Sequence, residues 1–371
     1  MEISVFSVLM TILWSSVLIT LFYFLRTKTG FLHICSISTV ILLYLFCAIR
    51  IALPFELPWT YVVSGGAVYR GIRNVLYCKV GFFRVFELLF VIWIIGILYN
   101  LSKYLMQCYR IILYIQSIQK TKSEEVSKIL GELDKRKHIE VIKTSEVKSP
   151  CCIGIFKKRI LLPDKEYGKE ELRYILIHEY THLYNNDILL KAMIMRLCGI
   201  YWWNPIVYLL KKELNQSTEI RCDLSVVGYL KESERADYLK VMLDTFRENR
   251  QTDKYVGAIR LVENHSESLL ERFRIVADMG VVPKKSADVF AAFMVLLILI
   301  VSYSFILQSK YEAPLSEIET GENIYYADPE NAYIIKQGDT YILHTIDAES
   351  VISEETVKMM LKDGFVMKGG E

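Results

Sequence analysis

Residues 178–182 read His178-Glu179-Tyr180-Thr181-His182, near the end of the segment Lys169–Tyr184. Glu170 and Glu171 stand in its first turn, where the helix dipole favours acids. Ile175, Leu176, Ile177 and Leu183 give it an apolar side, so the spacing predicts a mostly buried helix over 169–184. On a helix, residues four apart share a face, so both imidazoles can bind one tetrahedral Zn²⁺. Glu179, between them, can reach a water at the metal and is the candidate catalytic base. The alternative is a pair of surface histidines. Two buried histidines beside a glutamate would be costly without a metal.

A catalytic zinc site needs a third protein ligand. No histidine follows within Asn185–Met195, so a carboxylate from a later helix is expected. Glu219 and Asp223 form E-x-x-x-D on one helix face. Glu219 is the candidate ligand, and Asp223 would accept a hydrogen bond from a ligating imidazole, fixing its tautomer. Asp187 can do the same for the other histidine. Glu213 is a rival ligand, and a solvated acidic face around Arg221 is the bland alternative. Tyr184, Tyr229 and His265 are the candidates for stabilising a developing oxyanion.

Outward from this site the chain becomes strongly apolar. Ile3–Leu25, Phe31–Ile49 and Val289–Ser309 each have the length to cross a hydrocarbon core of roughly 30 Å. Leu88–Ser102, extended to Val85, reads as a weaker span. The expectation is therefore a multi-pass α-helical membrane protein with an inserted α+β domain and a small C-terminal α/β extension. The expected divisions are residues 1–102 with three spans (3–25, 31–49, 85–102), a domain over 103–288, a fourth span over 289–309 and a tail over 310–371. Ile188–Leu210 is nearly apolar too. A straight crossing there would put His178 and Glu219 on opposite membrane faces, so a bent pair of helices is expected instead, broken at Asn204-Pro205.

Inside the domain, Ser123–Leu133, Asn204–Leu230 and Arg235–Phe246 read as helices. His138–Lys143 and Lys158–Leu162 read as strands. In the tail, Tyr333–Lys336 and Thr340–His344 read as a hairpin and Ser353–Asp363 as a helix. The tail's five Lys against thirteen Asp or Glu suit an external segment. The membrane-proximal Lys and Arg divide almost evenly between the two faces, with a cytoplasmic domain favoured. Overall, 53% hydrophobic residues and a mean hydropathy of +0.27 exclude a disordered chain. With 44 basic and 42 acidic residues and no basic run, direct nucleic-acid binding is not expected. The eight cysteines form no CxxC pair and imply no disulfide framework.

The combined pattern resembles the membrane-embedded HExxH peptidases of the BlaR/MecR antirepressor type over most of residues 1–309. It is carried by the N-terminal apolar segments, Ser149–Pro163 (SPCCIGIFKKRILLP), His178–Asp187 (HEYTHLYNND), Trp203-Asn204-Pro205 and Glu219-Ile220-Arg221-Cys222-Asp223. The resemblance implies a cytoplasmic zincin-like (gluzincin) metalloprotease domain between the third and fourth spans of a cell-membrane protein. It implies Zn²⁺ as cofactor, with His178, His182 and Glu219 as ligands and Glu179 as base. It further implies signalling proteolysis: an external ligand is sensed, and the protease relieves a winged-helix transcriptional repressor, often with self-cleavage. Glu271-Arg272-Phe273-Arg274 is read as an exposed candidate for that cleavage. The β-lactam sensors of the family carry a penicillin-binding domain after the fourth span. Here about sixty residues follow, without an S-x-x-K nucleophile motif, so β-lactam binding is not expected. Two rivals share the zinc residues: a membrane quality-control protease and a non-catalytic receptor or scaffold.

Overall fold

The computed structural model describes residues 5–27, 35–54, 61–64, 72, 75–76, 78–117, 124–133, 139–145, 147, 149–250, 266–277, 285–308, 327, 329, 332–338, 340–345, 349–362 and 364–368. The chain forms two compact units, Met1–Pro58 with Leu76–Ser304, and Trp59–Val75 with Phe305–Glu371.

The first unit begins with apolar helices α1 (Val5–Thr27), α2 (Ile37–Ala52) and α3 (Val85–Ser117). Helix α4 (Glu124–Leu133) precedes a three-stranded sheet. In that sheet Arg159–Pro163 is central, parallel to Glu140–Thr144 and antiparallel to Cys151–Ile153. Five helices follow: α5 (Lys169–Tyr184), α6 (Asp187–Ile200), α7 (Pro205–Val227), α8 (Arg235–Arg250) and α9 (Ser266–Ala277). Helix α10 (Lys285–Ser304) closes the unit.

The described residues of the first three expected spans fall on helices, the second from Ile37 on, whereas the fourth, expected over 289–309, is helical only to Ser304 and continues as a strand over Phe305–Gln308. Among the described residues, two segments have the length and composition to cross a membrane, Val8–Arg26 and Val85–Arg110, whereas Ile37–Ala52 and Asp288–Ser304 are apolar but shorter. The third span, expected to end near residue 102, lies in a helix of 33 residues that runs on to Ser117. Its apolar positions continue past Lys103 through Leu105, Met106 and Tyr109, so nothing local stops the helix there. Gly96 of α3 is a point of close approach, because a Cβ there would lie 2.1 Å from the indole nitrogen of Trp202.

The nearly apolar stretch after the histidines is the bent pair of helices expected from sequence. Helix α6 ends at Ile200, and Asn204 caps α7 by accepting from the Ile206 amide at 2.9 Å, with Pro205 at the first helical position. Helix α7 is the spine of the unit. One apolar cluster packs its Leu210, Leu214 and Ile220 against Ile19 of α1, Tyr44 and Ile51 of α2 and Ile194 of α6. Another joins its Val226 and Val227 to Tyr174 and Ile177 of α5, Tyr238 of α8 and Val276 of α9. A third seats α5 on α4 and the sheet through Leu172, Leu176, Ile129, Ile160 and Leu162.

In the second unit, Ala332–Gln337 and Thr340–Thr345 form the expected antiparallel hairpin, turning through Gly338 at φ 61°. Glu349–Ile352 and Val366–Lys368 flank it, and helix α11 (Glu354–Lys362) covers a core of Ala332, Ile334, Val357, Met360 and Phe365.

Candidate metal centre

Helix α5 begins and ends where the sequence reading put it. Glu171 reaches back to the Gly168 amide at 3.2 Å, and the helix stops at Tyr184. Asn186 then takes a left-handed conformation (φ 57°), which asparagine tolerates better than most residues. Lys158, just before the central strand, donates to the Leu183 carbonyl at 2.6 Å and to Asn186 Oδ1 at 3.0 Å, fixing this turn. The turn starts α6 at once, so Asp187 faces back on α5. Its Oδ2 lies 2.8 Å from Nδ1 of His182, and Arg221 pairs with its other oxygen.

The two imidazoles lie on one face of α5, with ring centroids 5.0 Å apart. Helix α7 crosses that face and brings Glu219 to both. Nε2 of His178 is 3.6 Å from one Glu219 oxygen, and Nε2 of His182 is 3.4 Å from the other. One turn further along α7, Asp223 lies 3.2 Å from Nδ1 of His178. Each histidine therefore presents Nε2 to Glu219 and has its Nδ1 held by a separate carboxylate. Glu179 is half-buried beside them, and among the described residues it makes no ion pair.

Two residues that the sequence reading missed complete the arrangement. Arg272 of α9 donates to both oxygens of Asp223, at 2.6 and 2.8 Å, and reaches Glu219 at 3.4 Å. Tyr238 of α8 donates to Asp223 at 2.7 Å. Both are legible only as members of amphipathic helices. Leu269, Arg272, Phe273 and Val276 fall on one face of α9, and an arginine on a buried face needs a carboxylate. The stretch Glu271–Arg274 is thus a correction to the sequence reading. It is not an exposed linker, since Arg272 is 17% exposed and held in the centre. Lys191, on α6, is 3.2 Å from Glu219.

Glu213, the rival ligand, is elsewhere. It is buried against Arg26 of α1 at 2.8 Å and Tyr44 of α2 at 3.3 Å. Tyr184 and Tyr229 are 70% and 65% exposed, and His265 lies outside the described residues.

The charges set the protonation states. Burial opposes a charge on His178, but hydrogen bonds to Asp223 and Glu219 outweigh it and push its pKa up to about 10. His182 is raised against the same burial by the charge of Glu219 and its bond to Asp187. Burial would raise Glu219, yet His182 and Lys191 hold it well below the usual carboxylate range. Asp223 is likewise held down at about 2, its burial overcome by the Arg272 guanidinium.

The donor set fits a zinc ion. Ligands about 2.1 Å from a tetrahedral ion stand about 3.4 Å apart, close to the spacings between the imidazole nitrogens and Glu219. The donor atoms of His178, His182 and Glu219 all lie within 4.8 Å of one another. A second grouping, His182, Asp187 and Cys222, is fully buried. It fits less well, because burial and Asp187 push the Cys222 thiol well up, and the neutral thiol is a poor ligand.

Residues 72–276, just over half of the chain, match the model of the family described as BlaR1 peptidase M56. The chain belongs to that family. It is 27% identical over 175 residues to the regulatory protein BlaR1 of Bacillus licheniformis, covering 46% of this chain and 29% of that protein. It is 26% identical over 156 residues to the methicillin resistance mecR1 protein of Staphylococcus aureus, covering 41% of this chain and 26% of that one. The chain thus spans less than a third of the length of these relatives. His178, His182 and Glu219 fall inside the matched residues.

Proposed function

We propose that this M56 chain is an integral-membrane zinc metalloendopeptidase of signal transduction. The observation that carries the reading is the convergence of the two Nε2 atoms on the oxygens of Glu219, with each Nδ1 pinned by its own carboxylate. In this reading His178, His182 and Glu219 hold the metal. A Zn²⁺ held there supplies Lewis acidity toward a carbonyl and lowers the pKa of water. Glu179 takes the proton from the attacking water and returns it to the leaving amine. Asp187 and Asp223 keep the imidazoles in the tautomer that leaves Nε2 free for the metal, and Tyr238 and Arg272 hold Asp223 in place. Lys191 and Arg272 offset the negative charge of Glu219 until a metal enters.

Membership of the family supports a wider proposal. An external signal is coupled to cleavage of a cytoplasmic protein, a winged-helix repressor being the class of substrate that the resemblance implies. Helices α1 to α3 and α10 then form the membrane part, with the 310–371 tail outside. The test uses the full chain in nanodiscs loaded with zinc. Wild type should cleave itself or a protein substrate, Glu179→Gln should not, and both should hold one zinc per chain. Zinc binding with equal downstream output from wild type and Glu179→Gln contradicts hydrolysis and favours a scaffold.

A further inference from the structure

Helix α1 does more than pack against the metal-centre helices through apolar contacts. Its last turn carries Arg26, whose side chain is only 5% exposed. Arg26 Nε donates to Glu213 of α7 at 2.8 Å, and Nη2 donates to both oxygens of Glu271 on α9, at 3.1 and 2.9 Å. Gln216, one turn beyond Glu213, also bonds Glu271. The same two helices carry the groups around the histidines. Glu213 and Glu219 are six residues apart on α7, an axial rise of about 9 Å. Glu271 and Arg272 are neighbours on α9 and point about 100° apart, one toward Arg26 and the other toward Asp223 and Glu219. One arginine thus ties together the helix that supplies Glu219 and the helix that supplies its guanidinium partner.

We infer that Arg26 is a positioning residue for the metal centre: its bridge from α1 to Glu213 and Glu271 sets how α7 and α9 meet, and so where Arg272 holds Asp223 and Glu219. The inference rests on the metal-centre reading above. The geometry favours it over simple anchoring. A salt bridge that only tied α1 down would need one acid, whereas Arg26 divides its donors between two helices that have no shared loop. Severing either arm leaves the Gln216–Glu271 bond and the apolar contacts to hold this part of α9 on α7, a looser fit that lets α9 shift along α7. Arg272 then no longer fixes Asp223, and the His178 ring loses its orientation. Loss of such an outer partner costs about 10–100-fold in metal affinity in comparable sites. The apolar helix α1 is in this account a working part of the peptidase, and displacement of α1 is felt at the histidines.

The same bundle supplies an internal control. Arg50 of α2 is as buried as Arg26, at 3% exposure, and bonds Ser302 of α10 through Nε at 3.0 Å, without touching α7 or α9 by any such bond. The experiment measures zinc release to a chelator from the full chain in nanodiscs. Arg26→Gln and Glu271→Gln should each release zinc about tenfold faster than wild type, Arg26→Lys should recover much of the difference, and Arg50→Gln should match wild type. Glu271→Gln keeps the buried Arg26–Glu213 pair, so it gives an answer even if Arg26→Gln fails to fold. Wild-type release rates from Glu271→Gln and any folded Arg26→Gln overturn the inference. So does an equal acceleration in Arg50→Gln, which would mark a general loosening of the bundle. A wild type that binds no zinc overturns the metal-centre reading itself, and is distinguished from failure of the Arg26 inference by that result.

Discussion

Helix α7 carries two inward-facing glutamates, Glu213 buried and Glu219 half-buried, and they meet different partners. Glu213, 2% exposed, faces the apolar helices and is matched by Arg26. Glu219 faces α5 and is met by two histidines, a lysine and an arginine. A single fixed cation neutralises the first and leaves it a structural strut. The second is placed where two imidazoles can present nitrogen lone pairs once their Nε2 protons leave, which makes it the candidate metal site. Glu213 is the more deeply buried of the two, so burial alone does not mark a ligand. The number and type of donors facing the carboxylate does.

This contrast can be broken by exchanging each acid for its amide. Glu219→Gln should abolish zinc binding and proteolysis. Glu213→Gln should lower stability by about 3 kcal/mol, since it leaves Arg26 short of one buried partner, and should still bind one zinc per chain, released faster than from wild type. Thermal unfolding read beside elemental analysis separates them, and loss of zinc in Glu213→Gln would erase the distinction. Glu179→Gln comes next in size. Hydrolysis should fall about 10²–10⁴-fold with zinc retained, as measured by single-turnover cleavage. Asp187→Asn should then weaken zinc affinity about 10–100-fold, read by chelator competition, because His182 loses the acceptor for its Nδ1 proton.

The pH dependence is the gentlest test. Without metal, His178 has its pKa raised to about 10, so its contribution to stability is full below about 6.5 and fades as pH rises through about 10. Asp223 has its pKa lowered to about 2, so its contribution is present above about 4 and is lost as pH falls through about 2. Metal-free protein should therefore melt highest between about pH 4 and 6.5. Zinc must displace the His178 proton, so its affinity should fall by up to about tenfold per unit as pH drops below about 10. A zinc affinity flat across that range would contradict a protonated His178 in the metal-free site.

The parts of the molecule that were legible in the sequence are those written in local spacing. The boundaries of α5 follow from its first-turn acids and apolar side, the histidine pair from a spacing of four, and Glu219 with Asp223 from another. The break between α6 and α7 is announced by Asn204-Pro205. What was not legible depends on contacts across the fold. Arg272 and Tyr238 reach Asp223 from helices 49 and 15 residues away. No spacing rule relates them, and the charged residues around Arg272 disguised a buried face as a linker. Arg26 lies just past the expected span 3–25, and nothing local marks its role, because its partners lie 187 and 245 residues further along the chain. The extension of α3 to Ser117 was missed for a simpler reason: two cations in an apolar helix look like a membrane boundary even where the helix continues.

The central claim is that the ion is held by two imidazoles and the carboxylate of Glu219. The most direct measurement is the zinc-edge X-ray absorption spectrum of the wild-type protein in nanodiscs. The account predicts a first shell of nitrogen and oxygen only, at about 2.0–2.2 Å, with the outer-shell scattering of two imidazoles. A sulfur shell near about 2.3 Å would contradict it and move the ion to the buried Cys222, beside Asp187 and His182.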